Sequence, residues 1–331
     1  MKKILLKGRK NIFILTVAAV MFYFSPETAI CAGKKILTVC YDTNPEYAAV
    51  IKSFSEGVKK EFPSAEIITL IDGKNRDKDA FIAELRQMAV DADLVFTVGT
   101  TTALLVKHSG LKKPVLFSAV VNPKKIGLVN RYRKPGGNFT GSYCRISIVR
   151  QLHFIQDTLP AARRIGILYD PQEISQLLRA EDWARGVSLV PGLTLIKHPF
   201  SQTDYKGESL AALINGMAGN VDVFVIIIDP AVNHYGKDVV RLANENNIPT
   251  YVSGEYFMLR EALLGMGFDF ERQAREVNVP QAVRILNGET PAAIPVGIRI
   301  EYSVVVNKNT ARKIGVVLPE HVIESATMVI E

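Results

Sequence analysis

The residues best suited to chemistry lie where short apolar runs end. Tyr41-Asp42-Thr43-Asn44-Pro45 follows one such run, Gly99-Thr100-Thr101-Thr102 another, and Val120-Val121-Asn122-Pro123 a third. Further on, Asp229-Pro230 follows the most apolar run and Ser253-Gly254-Glu255-Tyr256 the last of them. Threonines opening a helix offer hydroxyls and unpaired backbone N–H groups, which together suit a carboxylate or a phosphate. The same threonines would serve equally as ordinary helix caps. Asp229 offers a carboxylate that either caps a helix or meets a ligand ammonium.

Signatures of catalysis are missing. The chain contains no nucleophile elbow, no phosphate-cradling loop and no dinucleotide fingerprint. Its five histidines, at 108, 153, 198, 234 and 321, are scattered without metal-ligand spacing. Neither a catalytic residue, a metal nor a cofactor is therefore expected. Asn138-Phe139-Thr140 matches a glycosylation sequon, but it reads better as backbone chemistry opening an extended segment.

The elements that must position these loops alternate. Ile36–Tyr41, Glu66–Leu70, Leu94–Val98 and Val115–Ser118 read as strands, with amphipathic helical spacing between them. Val50, Ile51, Phe54 and Val58, for example, share one helical face. Lys134-Pro135-Gly136-Gly137-Asn138 punctuates the pattern. A second alternation follows through Arg164–Tyr169, Leu193–Lys197, Val221–Ile228 and Pro249–Val252. Runs too apolar to face water, separated by helices, indicate parallel sheets covered on both faces. The fold expected is α/β, with two doubly wound parallel-sheet lobes joined by a hinge. Extended segments near 141–146, 261–267 and 294–303 are expected to cross between lobes. Lobe one then comprises 33–145 with 262–293, and lobe two 146–261 with 294–331. Ligands of open parallel sheets bind past the strand C-termini, so Tyr41, Asn44, Thr100, Thr101, Thr102, Asn122, Asp229, Ser253 and Glu255 are the candidate contacts. Tyr41, Tyr235, Tyr256 and Phe268 are candidate apolar walls.

Residues 1–32 read as a secretory leader. Lys2, Lys3, Lys7, Arg9 and Lys10 precede an apolar run from Ile12 to Phe24, and small residues follow at Ala29, Ala32 and Gly33. That run is shorter than the roughly 20 residues a bilayer span needs. Cleavage after Ala32 fits; a lipid anchor on Cys31 is not favoured, because bulky Ile30 precedes it. The whole chain carries a net charge of +7, and removing the leader leaves 35 − 32 = +3. There is no Lys/Arg-dense run in the remainder, which argues against a nucleic-acid partner. Cys40 and Cys144 remain after cleavage; export permits a disulfide between them, and two buried thiols is the favoured reading.

The sequence resembles the ABC-transporter substrate-binding family that includes the tryptophan-binding lipoproteins. The likeness runs over nearly all the chain after the leader. It is densest in "PVLFSAVVNPKKIGLVNRYRKPGGNFTG", in "PTYVSGEYFMLREALLGMGFDFERQA", and in "RILNGETPAAIPV" with "VVVNKNTARKIGVVLP". It implies a periplasmic binding protein of type I-like, Venus-flytrap form that takes a small zwitterion, an aromatic or branched amino acid, between its lobes. It implies that Thr100, Thr101 and Thr102 receive a carboxylate with Asn122 beside them. Asp229 would receive an α-ammonium, with Ser253 and Glu255 nearby, and Asp269 would stand at the returning crossover. The implied partners are a small-molecule ligand and a membrane permease, with the protein itself monomeric and extracytoplasmic. A ligand-sensing module docking a membrane receptor is the alternative role. "YDTNPEY" lacks the family's usual His-Pro pair, three threonines replace its Thr-Pro, and Phe270 stands where an aromatic pair with Tyr is common.

Intact mass of the exported protein is expected to place its first residue at Gly33, within a residue or two. A diacylglyceryl group on Cys31, or an intact Met1, would contradict that reading.

Overall fold

Strand β1 (Lys35–Cys40) is buried at every position but its first, as a strand flanked on both sheet faces must be. In the computed structural model it lies inside a six-stranded sheet of order β11-β5-β4-β3-β1-β2. Its companions are β2 (Glu66–Ile71), β3 (Leu94–Val98), β4 (Val115–Ser118), β5 (Phe139–Cys144) and β11 (Gly297–Arg299). Every pairing in this sheet is parallel. The residues described are 33–41, 45–72, 77–200, 207–227, 232–253, 261–299 and 301–331. The expected leader, Asn44, Asp229, Glu255 and Tyr256 therefore lie outside the described residues.

The second sheet has seven strands in the order β13-β12-β10-β9-β8-β6-β7. These are β6 (Arg164–Tyr169), β7 (Thr194–Pro199), β8 (Val223–Ile226), β9 (Thr250–Ser253), β10 (Leu264–Gly267), β12 (Ser303–Asn307) and β13 (Met328–Ile330). Among the described residues only β10 and β12 pair antiparallel. Helices α1 (Pro45–Glu61), α2 (Lys78–Met88) and α3 (Thr100–His108) serve the first lobe. Helices α4 (Ile148–Thr158), α5 (Ile174–Ser188), α6 (Gly207–Met217) and α7 (Val232–Glu245) serve the second. Apolar clusters line both faces of each sheet. Phe54 of α1, for instance, stacks on Phe96 of β3 with ring centroids 3.7 Å apart. The α/β, two-lobed reading holds, and residues Gly33–Glu331 form one unit.

The crossings differ in detail from expectation. The first follows β5, between Cys144 and Ile148. The second follows β10 rather than preceding it, because Leu264, Gly265 and Met266 pair in register with Tyr251, Val252 and Ser253 of β9. The third splits what reads as one extended run. Gly297–Arg299 joins β5 of the first sheet, while Ser303–Asn307 joins β10 of the second. Residues 262–267 thus build into the second lobe and 295–299 into the first. Residues 320–330 add a short helix and an edge strand that the sequence did not announce.

Between the second and third crossings the chain runs as a helix, Phe270–Gln273 and Val279–Leu286, interrupted by a π-turn at Ala274–Asn278. Buried amides fix it to the first sheet. Asn278 Oδ1 accepts the Ser142 hydroxyl at 2.8 Å, and its Nδ2 donates to the Phe117 carbonyl at 3.2 Å. Gln281 Nε2 donates to the carbonyls of Gly141 and Pro295, each at 2.9 Å. β5 itself approaches β4 closely at one point: a Cβ on Gly141 would lie 2.1 Å from the Phe117 carbonyl oxygen. Backbone cannot yield as a side chain can. Gly141→Ala is therefore expected to destabilise the protein by about 1–3 kcal/mol, the usual overpacking range. Chemical denaturation compared with the parent checks this.

Candidate functional site

Where β4 ends, the backbone turns sharply. Ala119 has φ 54° and Asn122 φ 43°, both in the left-handed region. Asparagine tolerates that conformation, but for alanine the Cβ makes it cost roughly 1–2 kcal/mol. The turn presents Ala119, Val120, Val121 and Asn122 to a cavity of about 430 Å³ that opens between the lobes. That volume falls within the common range for small-molecule sites.

Aromatic rings make much of the wall. Tyr132 and Tyr143 from the first lobe stack with centroids 4.9 Å apart and planes at 21°. The Tyr132 hydroxyl donates to Asn122 Oδ1 at 3.3 Å. Burial, reinforced by its hydrogen bond with Tyr143, pushes the Tyr132 phenol up to about 12, against a smaller opposing pull from Arg145. It therefore stays neutral across the physiological range. From the second lobe, α5 brings Trp183, which is 3% exposed and meets Tyr251 edge-on at 5.9 Å. Phe268 and Phe270 flank the second crossing and line the same cavity, 6.5 Å apart.

Cations contribute part of the polar lining. Arg145 stands in the first crossing, and Arg179 and Arg185 project from α5. Arg185 is ion-paired with Asp182 at 3.6 Å. Arg145 and Arg179 make no ion pair among the described residues. The lobes also touch directly across the cleft. Lys125 Nζ donates to Glu181 Oε2 at 2.5 Å, and Thr101 Oγ1 donates to Glu173 Oε2 at 3.5 Å. The hydrogen bond from Lys125 holds the Glu181 carboxyl below its ordinary range.

The sequence-predicted residues divide into several groups. Asn122 and Ser253 line the cavity, as does Phe268. Thr100 and Thr102 are buried, and their hydroxyls accept the backbone N–H groups of Val121 and Tyr41 at 2.9 and 3.0 Å. They fasten the neighbouring loops instead of lining the cavity. Tyr41 is 6% exposed and packs edge-on against Phe81 inside the first lobe, so it is core and not wall. Asp269 caps the helix at Phe270, accepting the Arg272 N–H at 2.7 Å. Cys40 is a buried thiol. The side chain of Tyr235 lies outside the described residues. The sequence reading overlooked Tyr132, Tyr143, Arg145 and Trp183. Tyr143 and Arg145 fall within the expected first crossing, which was the signal available for them. Trp183, the chain's only tryptophan, looks like ordinary helix core until α5 is placed against the cleft.

Comparison with known proteins agrees with this architecture. The model of the ABC transporter substrate binding protein family matches residues 43–330. A tyrosine-binding protein of Clostridioides difficile is 26% identical over 223 residues, covering 66% of this chain and 62% of that protein. The chain thus spans under two thirds of that relative's length. Among solved structures, a Streptococcus pneumonia ABC domain in complex with L-Trp is 24% identical with a TM-score of 0.80, covering 90% of this chain and 100% of the other. A ligand-free, open substrate binding protein with adhesive properties from Clostridium difficile is 22% identical with a TM-score of 0.68, covering 90% and 99%. These are binding proteins, not enzymes.

Because Ala119 holds a left-handed backbone, a β-branched replacement should raise its strain and glycine relieve it. Ala119→Val is expected to lower the apo melting temperature, and Ala119→Gly to leave it unchanged or raise it. Thermal melts of the two variants beside the parent check this.

Proposed function

This chain belongs to the family of ABC transporter substrate-binding proteins, and we propose that it captures an aromatic amino acid between its lobes and delivers it to a membrane permease. The observation that carries the reading is the interlobe cavity, walled by Tyr132, Tyr143 and Trp183 with Arg145 at the first crossing. Flat aromatic walls suit a ring, since offset or edge-on contacts add to the area buried. The tyrosine and L-Trp named for the two relatives support the same ligand class.

In this reading the guanidinium of Arg145 receives the ligand carboxylate as a charge-assisted hydrogen bond. Asn122 and Ser253 supply neutral polar contacts. Thr100 and Thr102 hold the loops at Val121 and Tyr41 in place, and Thr101 contributes across the cleft through Glu173. The ammonium falls to Asp229 or Glu255, which follow β8 and β9 in sequence. Binding favours closure because the ligand meets residues of both lobes at once, and a ligand shifts an equilibrium only by its differential affinity for the two states. The protein acts as a monomer outside the cytoplasmic membrane, after removal of residues 1–32. Among the described residues no helix is long and apolar enough to cross a membrane, which is compatible with that location.

Trp183 is the only tryptophan, so its emission reports on the cavity directly. Titration with L-tyrosine is expected to change that emission and saturate at one ligand per chain. Arg145→Ala is expected to weaken tyrosine by roughly 10- to 150-fold, the cost of about 1.5–3 kcal/mol for a charged hydrogen bond. The apo melting temperature should stay near the parent's. Saturable binding of a sugar or nucleoside, with no response to aromatic amino acids, would overturn the ligand assignment.

A further inference from the structure

Charge in this protein is segregated along the chain. From Leu94 to Gln156, 63 residues, there is no aspartate or glutamate, while ten lysines and arginines occur. The mature chain has a net +3, so the remaining 236 residues carry +3 − 10 = −7. No dense basic run marks the stretch; its one-sidedness comes from the missing acids.

The fold gathers most of these cations on one flank of the first lobe. The connection from β4 to β5 runs back beside α3 to return the chain to the start of a parallel strand. Lys107 near the end of α3 donates to the Ile126 carbonyl at 3.3 Å, which fixes this connection to the helix. Asn138 Nδ2 donates to the carbonyls of Leu111 and Lys113 at 2.9 and 2.8 Å, which brings the loop before β4 to the same place. The Asn130 N–H to Pro135 carbonyl bond, 2.9 Å, closes the turn that carries Arg131, Arg133 and Lys134. Lys112, Lys124, Arg131, Arg133 and Lys134 are exposed, and none of them forms an ion pair among the described residues. No exposed large apolar residue lies within 94–156.

We propose that this flank of the first lobe is an electrostatic docking surface for the anionic phospholipid headgroups of the membrane beside which the protein works. Two observations favour a lipid surface over a protein partner. A specific protein interface needs a desolvated core, usually with aromatic anchors, and residues 94–156 present solvated cations with no exposed large apolar side chain among them. Its charges are spread over several segments at a range of positions, which suits a surface of laterally mobile phosphates, where each nearby Lys or Arg adds to the attraction. The proposal rests on the extracytoplasmic location proposed above but not on which ligand the cavity takes, although Asn122 and Tyr132 of the same connection line that cavity.

Co-sedimentation of the chain Gly33–Glu331, which forms its own unit, tests this. The vesicles are phosphatidylcholine alone, or phosphatidylcholine mixed equally with phosphatidylglycerol. Binding is expected only to the mixed vesicles. It should disappear at high salt, where the screening length falls from about 10 Å at 0.1 M to about 3 Å at 1 M. The triple variant Arg131→Glu, Arg133→Glu, Lys134→Glu should bind at least about a hundredfold more weakly, on the scale of roughly fivefold per charge removed near the surface. Lys52→Glu, Lys59→Glu, Lys60→Glu on α1 makes the same change in net charge and should keep most of the binding. Circular dichroism melts confirm that both variants fold. Equal loss in the two variants would mean net charge alone acts and would overturn the proposal. So would equal binding to both vesicle types, no binding to either, or salt-sensitive capture of an acidic protein without any vesicle binding.

Discussion

Two buried amides hold the hinge side of this molecule together. Asn278 and Gln281 reach from one helix into the first sheet and satisfy Ser142, the Phe117 carbonyl, the Gly141 carbonyl and the Pro295 carbonyl. Those atoms belong to β4, to β5 and to the segment entering β11, the last two of which lead to interlobe crossings. Buried polar groups are tolerated only when paired, since an orphan costs roughly 1–3 kcal/mol. The pairing therefore fixes the π-turned helix and the crossing strands relative to one another. Everything that lines the cavity from the first lobe, from the strained turn at Ala119 to Tyr143, hangs from strands held in this way.

The cavity then follows from topology. Parallel sheets present the loops past their strand ends, and two such sheets facing across three crossings leave a gap where those loops meet. The left-handed backbone at Ala119 and Asn122 is a local cost that the closely packed β4–β5 pair maintains. Cross-cleft contacts such as Lys125 with Glu181 are exposed, and pairs of that kind contribute little on their own. Under the proposed function, closing energy comes mainly from the ligand that occupies the cleft.

Much of the architecture was legible in the sequence because apolar run length and helical spacing report burial directly. β1 and β3 read as buried strands and α1 as amphipathic, and the structure has them so. Pairing partners were less legible. The segment near 294–303 reads as one extended crossing, yet Gly297–Arg299 and Ser303–Asn307 join different sheets, and nothing local distinguishes the two destinations. The site was legible only as loops. Asn122 and Ser253, read from their places after strand ends, line the cavity. Thr100 and Thr102 carry the right chemistry, but their hydroxyls serve backbone N–H groups, a competition that composition does not reveal. Trp183 was missed because a helix face that meets a cleft has the same pattern as one that meets a core. Arg145 was missed because a single arginine in a crossing has no periodicity at all.

The most direct test is a crystal structure of the protein grown with L-tyrosine. The account predicts one ligand between the lobes, its ring against Tyr132, Tyr143 or Trp183 and its carboxylate at the Arg145 guanidinium. Density for the ligand elsewhere, or a cavity that stays empty while tyrosine binds at one per chain in solution, would contradict it.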